Sequence, residues 1–260
     1  MTRYAIGIEY SGSGYCGWQR QPHCDSIQQQ LEEAIGFVAD HPVELACAGR
    51  TDTGVHAVEQ VAHFDSTAER DSRAWIMGSN CRLPRDIRVK WVEPVNDDFH
   101  ARFSAQARAY RYVILNTPVS SAIYNDRCSW EFRPLDHSAM HESAQILLGE
   151  HDFSSFRAVG CQAKTAMRHL QEIEISRHGD LIYLDIKANA FLYHMVRNIA
   201  GSLISIGRGE HDGEWLEQVF AARDRNQAEV TAPAAGLYFV RVWYEPKYKL
   251  PTIAKKPVLF

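Results

Sequence analysis

The sequence predicts an α+β fold in which helices cover one face of a central, mainly antiparallel sheet. Hydrophobic periods of two and of 3.6 residues are mixed along the chain instead of alternating strictly. His178, Gly179 and Asp180 mark a hairpin between two strand patterns. The strand-and-helix order also recurs loosely, which predicts two similar halves at 1–105 and 106–246, followed by a basic tail at 247–260.

The elements follow in order. "RYAIGIEY" (3–10) alternates as a strand, and the loop "SGSGYCGWQRQP" follows it. "DSIQQQLEEAIGFVAD" reads as a helix, with Ser26 and Gln29 spaced as a capping box and Ile27, Leu31, Ala34, Ile35 and Val38 on one stripe. Residues 43–49 predict a strand, and "EQVAHFDS" predicts another. "SRAWIMGSNCRLP" reads as a helix ending near Pro84, and "IRVKWVEPV" as a strand. Residues 100–116 carry a long alternating strand pattern leading out of the first half. In the second half "LDHSAMHESAQILLGEHDF" reads as a helix, and "HLQEIEIS" and "LIYLDIKA" form the hairpin. "FLYHMVRNIAGSLISIGRG" and "DGEWLEQVFAARD" read as helices, "AAGLYFVRVWY" as the last strand, and the tail as irregular.

Hydrophobic residues make up 45% and charged residues 23% of the 260, the mix of a globular protein with a substantial core. No apolar run approaches the ~18 residues of a membrane span, and the N-terminus lacks the apolar core of a signal peptide, so a cytoplasmic protein is expected. The six cysteines include no C-x-x-C pair, and free thiols are expected rather than a disulfide framework. The twelve histidines show no metal-ligand spacing. A net charge of −4 argues against nucleic acid on average. Yet Arg20, Arg50, Arg108, Arg111, Arg168 and Arg197 recur around the sharpest motifs, which allows a local basic groove.

Gly12, Gly14 and Gly17 match G-x-G-x-x-G after a strand, but Pro22 breaks any helix there. A tight glycine turn is therefore expected, with Trp18, Gln19 and Arg20 available to RNA. Asp52 stands in "AGRTDTGVHA" between Arg50 and Gly54. A turn or N-cap role is the ordinary reading of a loop Asp. A strand-end loop, small neighbours and a nearby cation are also what an ionised carboxylate nucleophile needs. Tyr110 and Tyr112 share a strand face with Arg108, either as core or as a base-stacking platform, and Arg111 lies opposite. Arg197 sits among Phe191, Leu192, Met195, Val196 and Ile199, and must snorkel outward or pair with an acid, Asp52 being the candidate.

Together "YSGSGYCGWQRQP", "GRTDTGVHA", "ARAYRYVI", "HDFSSFRAVGCQ", "NAFLYHMVRNIAG" and "GLYF" resemble the tRNA pseudouridine synthases of the TruA type, from about residue 5 to 245. Thr53 stands where that family's loop commonly has Ala. The resemblance implies two similar halves around a central antiparallel sheet, with an active-site cleft between them. It implies isomerisation of uridine to pseudouridine in the anticodon arm, at tRNA positions 38, 39 and 40, by a homodimer that uses no cofactor or metal. By the same resemblance Asp52 matches the nucleophile and Arg50 the residue that fills the stack left by the flipped base. Tyr110 matches the tyrosine beneath that base, Arg197 the cation paired to the nucleophile, and Leu237 the apolar lid of the base pocket. A tRNA-binding protein without catalysis is the alternative from another class; it gives no reason for Asp52 in that loop.

Overall fold

The computed structural model describes residues 1–252 and 256–257. The chain forms two units, one of Met1–Gln106 with the segment from Tyr238 onward, the other Ala107–Leu237. Each is α+β with a mainly antiparallel sheet.

In the first unit β1 (Thr2–Tyr10) pairs antiparallel with β3 (His56–Ser66) on one side and β4 (Ile87–Val95) on the other. Val, Ile and aromatic residues on alternate positions favour these strands. β10 (Leu237–Trp243) joins β3 in parallel through Tyr238 and Phe239, opposite His56 and Ala57. The strand expected at 43–49 shrinks to β2 (Ala46–Cys47), because the chain before it is drawn to the first helix, where the Leu45 N–H donates to the Glu32 carboxylate (3.0 Å). That helix, α1 (Ile27–Ala39), buries Ile27, Leu31, Ala34 and Ile35 as the stripe predicts. Ser26 caps it by accepting from the Gln29 N–H (3.3 Å). Only half of the capping box forms, since the Gln29 side chain donates to Glu33 instead (2.9 Å). α2 (Ser72–Arg82) is capped by Asp71, whose carboxylate accepts from the Ala74 N–H (2.6 Å). The free-thiol expectation fails for one pair: Cys16 and Cys24 form a disulfide across the loop after β1, where a Gln21–Cys24 bridge and the Cys16 N–H bond to Asp25 bring them together. Past β10, Tyr248 packs edge-on against Phe99 (5.0 Å) and Lys247 pairs with Asp98 (3.1 Å). Residues 253–255 and 258–260 of the expected basic tail lie outside the described residues.

In the second unit β5 (Ala107–Asn116) pairs with β9 (Leu181–Ala188), β9 with β8 (Met167–His178), and β8 with β7 (Gly149–Asp152), all antiparallel. The β8–β9 hairpin turns at Gly179, as expected. The long strand expected from residue 100 starts only at Ala107, because the stretch before it is a turn closed by the Ser104 N–H on the His100 carbonyl (2.9 Å). The helix expected over 135–153 ends as α3 (His137–Ala144), passes through a 3-10 turn and becomes β7. β6 (Ser129–Glu131), parallel to β5, is too short to be read from its sequence. α4 (Met195–Gly207) is buried at every position but Arg197, which explains its wide apolar face, and α5 (Gly213–Ala222) follows, capped by Asp212. Among the described residues no helix is long and apolar enough to cross a membrane.

Candidate active site

In the first unit the loop between β2 and β3 holds Arg50, exposed, and Asp52, half-buried. The backbone around Asp52 is fastened from several sides. The Gly49 carbonyl accepts from Gln60 Nε2 (2.6 Å), the Thr51 carbonyl from the Trp18 N–H (2.9 Å), and the Asp52 carbonyl from the Val55 N–H (3.1 Å). The Thr51 hydroxyl meets the Tyr10 hydroxyl at 2.7 Å in a buried contact. Gly54, at φ 80°, lets the chain turn into β3.

The glycine motif finds its role here. A Cβ on Gly12 would lie 2.0 Å from the Val55 carbonyl oxygen, and one on Gly17 2.6 Å from that of Thr51. Gly17 also has φ 87°, in the left-handed region. Gly12 and Gly17 are therefore required because backbone lies on backbone there, whereas a Cβ on Gly14 would meet open space. Trp18 is 1% exposed and packs beside Tyr10, so the expectation that it stacks on RNA is corrected: the indole anchors the loop. Arg20 pairs with Glu32 (3.4 Å). Burial pushes the nearby Cys47 thiol up to about 12 against the pull of Arg50, which leaves it protonated and a poor nucleophile.

In the second unit Tyr110 on β5 is half-buried, its ring edge-on to Phe191 at 4.9 Å. Its neighbour on the same face, Tyr112, is fully buried and donates to the Pro233 carbonyl (2.8 Å). The twin stacking platform thus reduces to Tyr110, because Tyr112 is spent on the core. Arg111 on the opposite face forms a two-pronged pair with Asp185 (2.8 and 2.7 Å) under Tyr183, a structural role. Arg108 donates to the Asn189 carbonyl (2.8 Å). The Nε of Arg197, on α4, donates to the Ala232 carbonyl (2.8 Å), and the Ala232 N–H returns a bond to the Arg197 carbonyl (3.1 Å). Arg197 lies close enough to Tyr112 for its charge to pull that phenol's pKa down, against the stronger upward push of burial. The buried Leu237 follows the 3-10 turn Ala234–Gly236, which the Tyr112–Pro233 bond helps to seat. Tyr112 is therefore a link between the segments that carry Arg197 and Leu237, a role its alternation with Tyr110 could not reveal. Among the described residues no group of three or more His, Cys, Asp or Glu is arranged to hold a metal ion.

A family model described as tRNA pseudouridine synthase matches residues 6–104 and 143–245. A tRNA pseudouridine synthase A of Hydrogenovibrio crunogenus is 58% identical over 260 residues, covering 100% of this chain and 99% of that one. Proteins of the same name from Vibrio campbellii and Coxiella burnetii are 52% and 51% identical; their alignments cover 98% and 99% of this chain and 97% and 98% of theirs.

Proposed function

The chain belongs to the tRNA pseudouridine synthase family, and on that premise we propose that it isomerises uridine to pseudouridine in the anticodon stem-loop of tRNA, at positions 38, 39 and 40. The N1–C1′ bond breaks, the uracil turns, C5 bonds to C1′, the C5 proton leaves and N1 takes up a proton. Asp52 is the nucleophile. The observation that carries this assignment is the half-buried carboxylate on a loop whose backbone is tied at Gly49, Thr51 and Asp52 itself. Such fastening holds a reacting group in place before substrate arrives.

The other residues take the roles the resemblance gives them. The target base leaves its stack at a cost of a few kcal/mol. Arg50, exposed on the Asp52 loop, fills the space it vacates. Tyr110 lies beneath the flipped base and assists removal of the C5 proton, Arg197 is the cation paired to the nucleophile, and Leu237 closes the apolar side of the base pocket. The reaction needs no cofactor. The working form is a cytoplasmic homodimer bound to the anticodon arm.

Asp52→Asn tests the reading. It keeps size and turn-forming capacity but removes the charge. Expected are an unchanged melting curve, retained tRNA binding and no tritium release from tRNA labelled at uridine C5. Release at a tenth of the wild-type rate would overturn the nucleophile assignment. A wild-type protein that binds tRNA and releases no tritium would instead make it a binding protein without catalysis.

A further inference from the structure

Thr51 sits directly before Asp52 and is held at both its carbonyl and its side chain. The carbonyl accepts the Trp18 N–H (2.9 Å), and the hydroxyl pairs with Tyr10 (2.7 Å). Tyr10 is 3% and Thr51 7% exposed, so neither hydroxyl can turn to water in exchange. A buried hydroxyl left without its partner is costly. The pair therefore selects one backbone conformation at residue 51, and that conformation sets the direction in which the Asp52 side chain leaves the chain. Tyr10 comes from the last position of β1, just past an irregularity in its pairing with β3 between Ile8 and Tyr10. The ring nevertheless reaches the loop, where its hydroxyl meets Thr51. Burial raises the Tyr10 phenol well above its ordinary range, partly offset by hydrogen bonding from Thr51 and Gln60, so it remains a neutral partner at any working pH.

We infer that Tyr10 and Thr51 are positioning residues for the nucleophile: their buried hydroxyl pair orients Asp52 without either touching the substrate. This rests on the reading of Asp52 as nucleophile. A displacement of about 1 Å at a reacting group can cost on the order of 10²-fold in rate.

The test compares Tyr10→Phe, Thr51→Val, Thr51→Ser and the Tyr10→Phe/Thr51→Val double variant with wild type. Single-turnover tritium release and tRNA dissociation constants are measured at a temperature where each circular dichroism spectrum matches wild type. Tyr10→Phe and Thr51→Val should each slow the single-turnover rate about 10- to 100-fold, with tRNA affinity within about twofold. Thr51→Ser keeps the hydroxyl and should recover most of the rate. The double variant should be no slower than the slower single one, because both remove the same bond. Wild-type rates in the folded single variants would overturn the inference, as would a loss confined to tRNA affinity. A Thr51→Ser variant as slow as Thr51→Val would overturn it too, by making the threonine methyl responsible. If Tyr10→Phe does not fold, the Val–Ser comparison at position 51 decides. Asp52→Asn run alongside separates the two readings: tritium release by wild type and none by Asp52→Asn upholds the nucleophile whatever Tyr10 does.

Discussion

At the scale of single residues, two tyrosines two positions apart, and so on the same strand face, have different fates. Tyr112 is fully buried with its hydroxyl on the Pro233 carbonyl, and Tyr110 is half-buried with its ring edge-on to Phe191. Of the two, only Tyr110 stays partly exposed, and the proposed base-stacking role rests on it. Tyr110→Phe keeps the ring and removes the hydroxyl, so tRNA binding should be nearly unchanged. Turnover should fall by about 10²- to 10⁴-fold, the usual span of general acid–base assistance, read as initial rates of tritium release. Unchanged turnover would leave stacking as its only role. Arginines divide in the same way. Arg111 and Arg20 are matched to Asp185 and Glu32, whereas Arg50 stands exposed on the Asp52 loop.

Among the elements, the glycine loop after β1 and the loop after β2 work as one piece. Their backbones touch where Gly12 and Gly17 lack a Cβ, and the Trp18 N–H reaches the Thr51 carbonyl. Gly17→Ala places a methyl against that carbonyl and demands a left-handed conformation, at a cost of about 1–3 kcal/mol. The expected outcome is a lower urea midpoint together with a slower single-turnover rate; an unchanged midpoint would show that the loops can separate freely. The spacing of the glycines was legible in the sequence, but their purpose was not. Pattern can exclude a dinucleotide site because Pro22 forbids the helix, yet it cannot say which backbone the glycines admit. Short elements were lost for a related reason: β2 and β6, of two and three residues, are held by their neighbours and carry little periodic signal of their own.

For the molecule as a whole, stability should depend on pH through His63. Its Nδ1 accepts the Ala101 N–H (3.2 Å), so the ring is held neutral. Burial, with the charges of His100 and Arg3 behind it, lowers its pKa to about 4, while Asp65 works the other way. An unfolded histidine titrates near 6.5. The unfolded chain therefore takes up the proton first, and the contribution present above about pH 6.5 is lost as pH falls toward 4, up to about 3 kcal/mol. Asp65, held low chiefly by its hydrogen bonds from Arg3, loses its share at lower pH as the carboxylate protonates. Urea unfolding at pH 7 and pH 5 should show the loss, and His63→Gln should flatten it; an equal slope in the variant would place the titration elsewhere. The net charge of −4 is likewise an average over paired and exposed groups, and says little about any one surface.

The sequence by itself determined the α+β class, the main strands and helices, and the residues on which the chemistry is proposed to rest, Asp52 above all. Periodicity reports which face of an element is apolar, and a motif reports which residue types recur together; both are local properties of the chain. Only the tertiary structure decided that Trp18 and Tyr112 are core, that Cys16 and Cys24 meet, that Arg111 belongs to Asp185, and that Tyr10 and Thr51 close on each other behind Asp52. Each of these depends on which side chains the fold brings together or removes from water, and partners 41 positions apart, as Tyr10 and Thr51 are, leave no trace in local pattern.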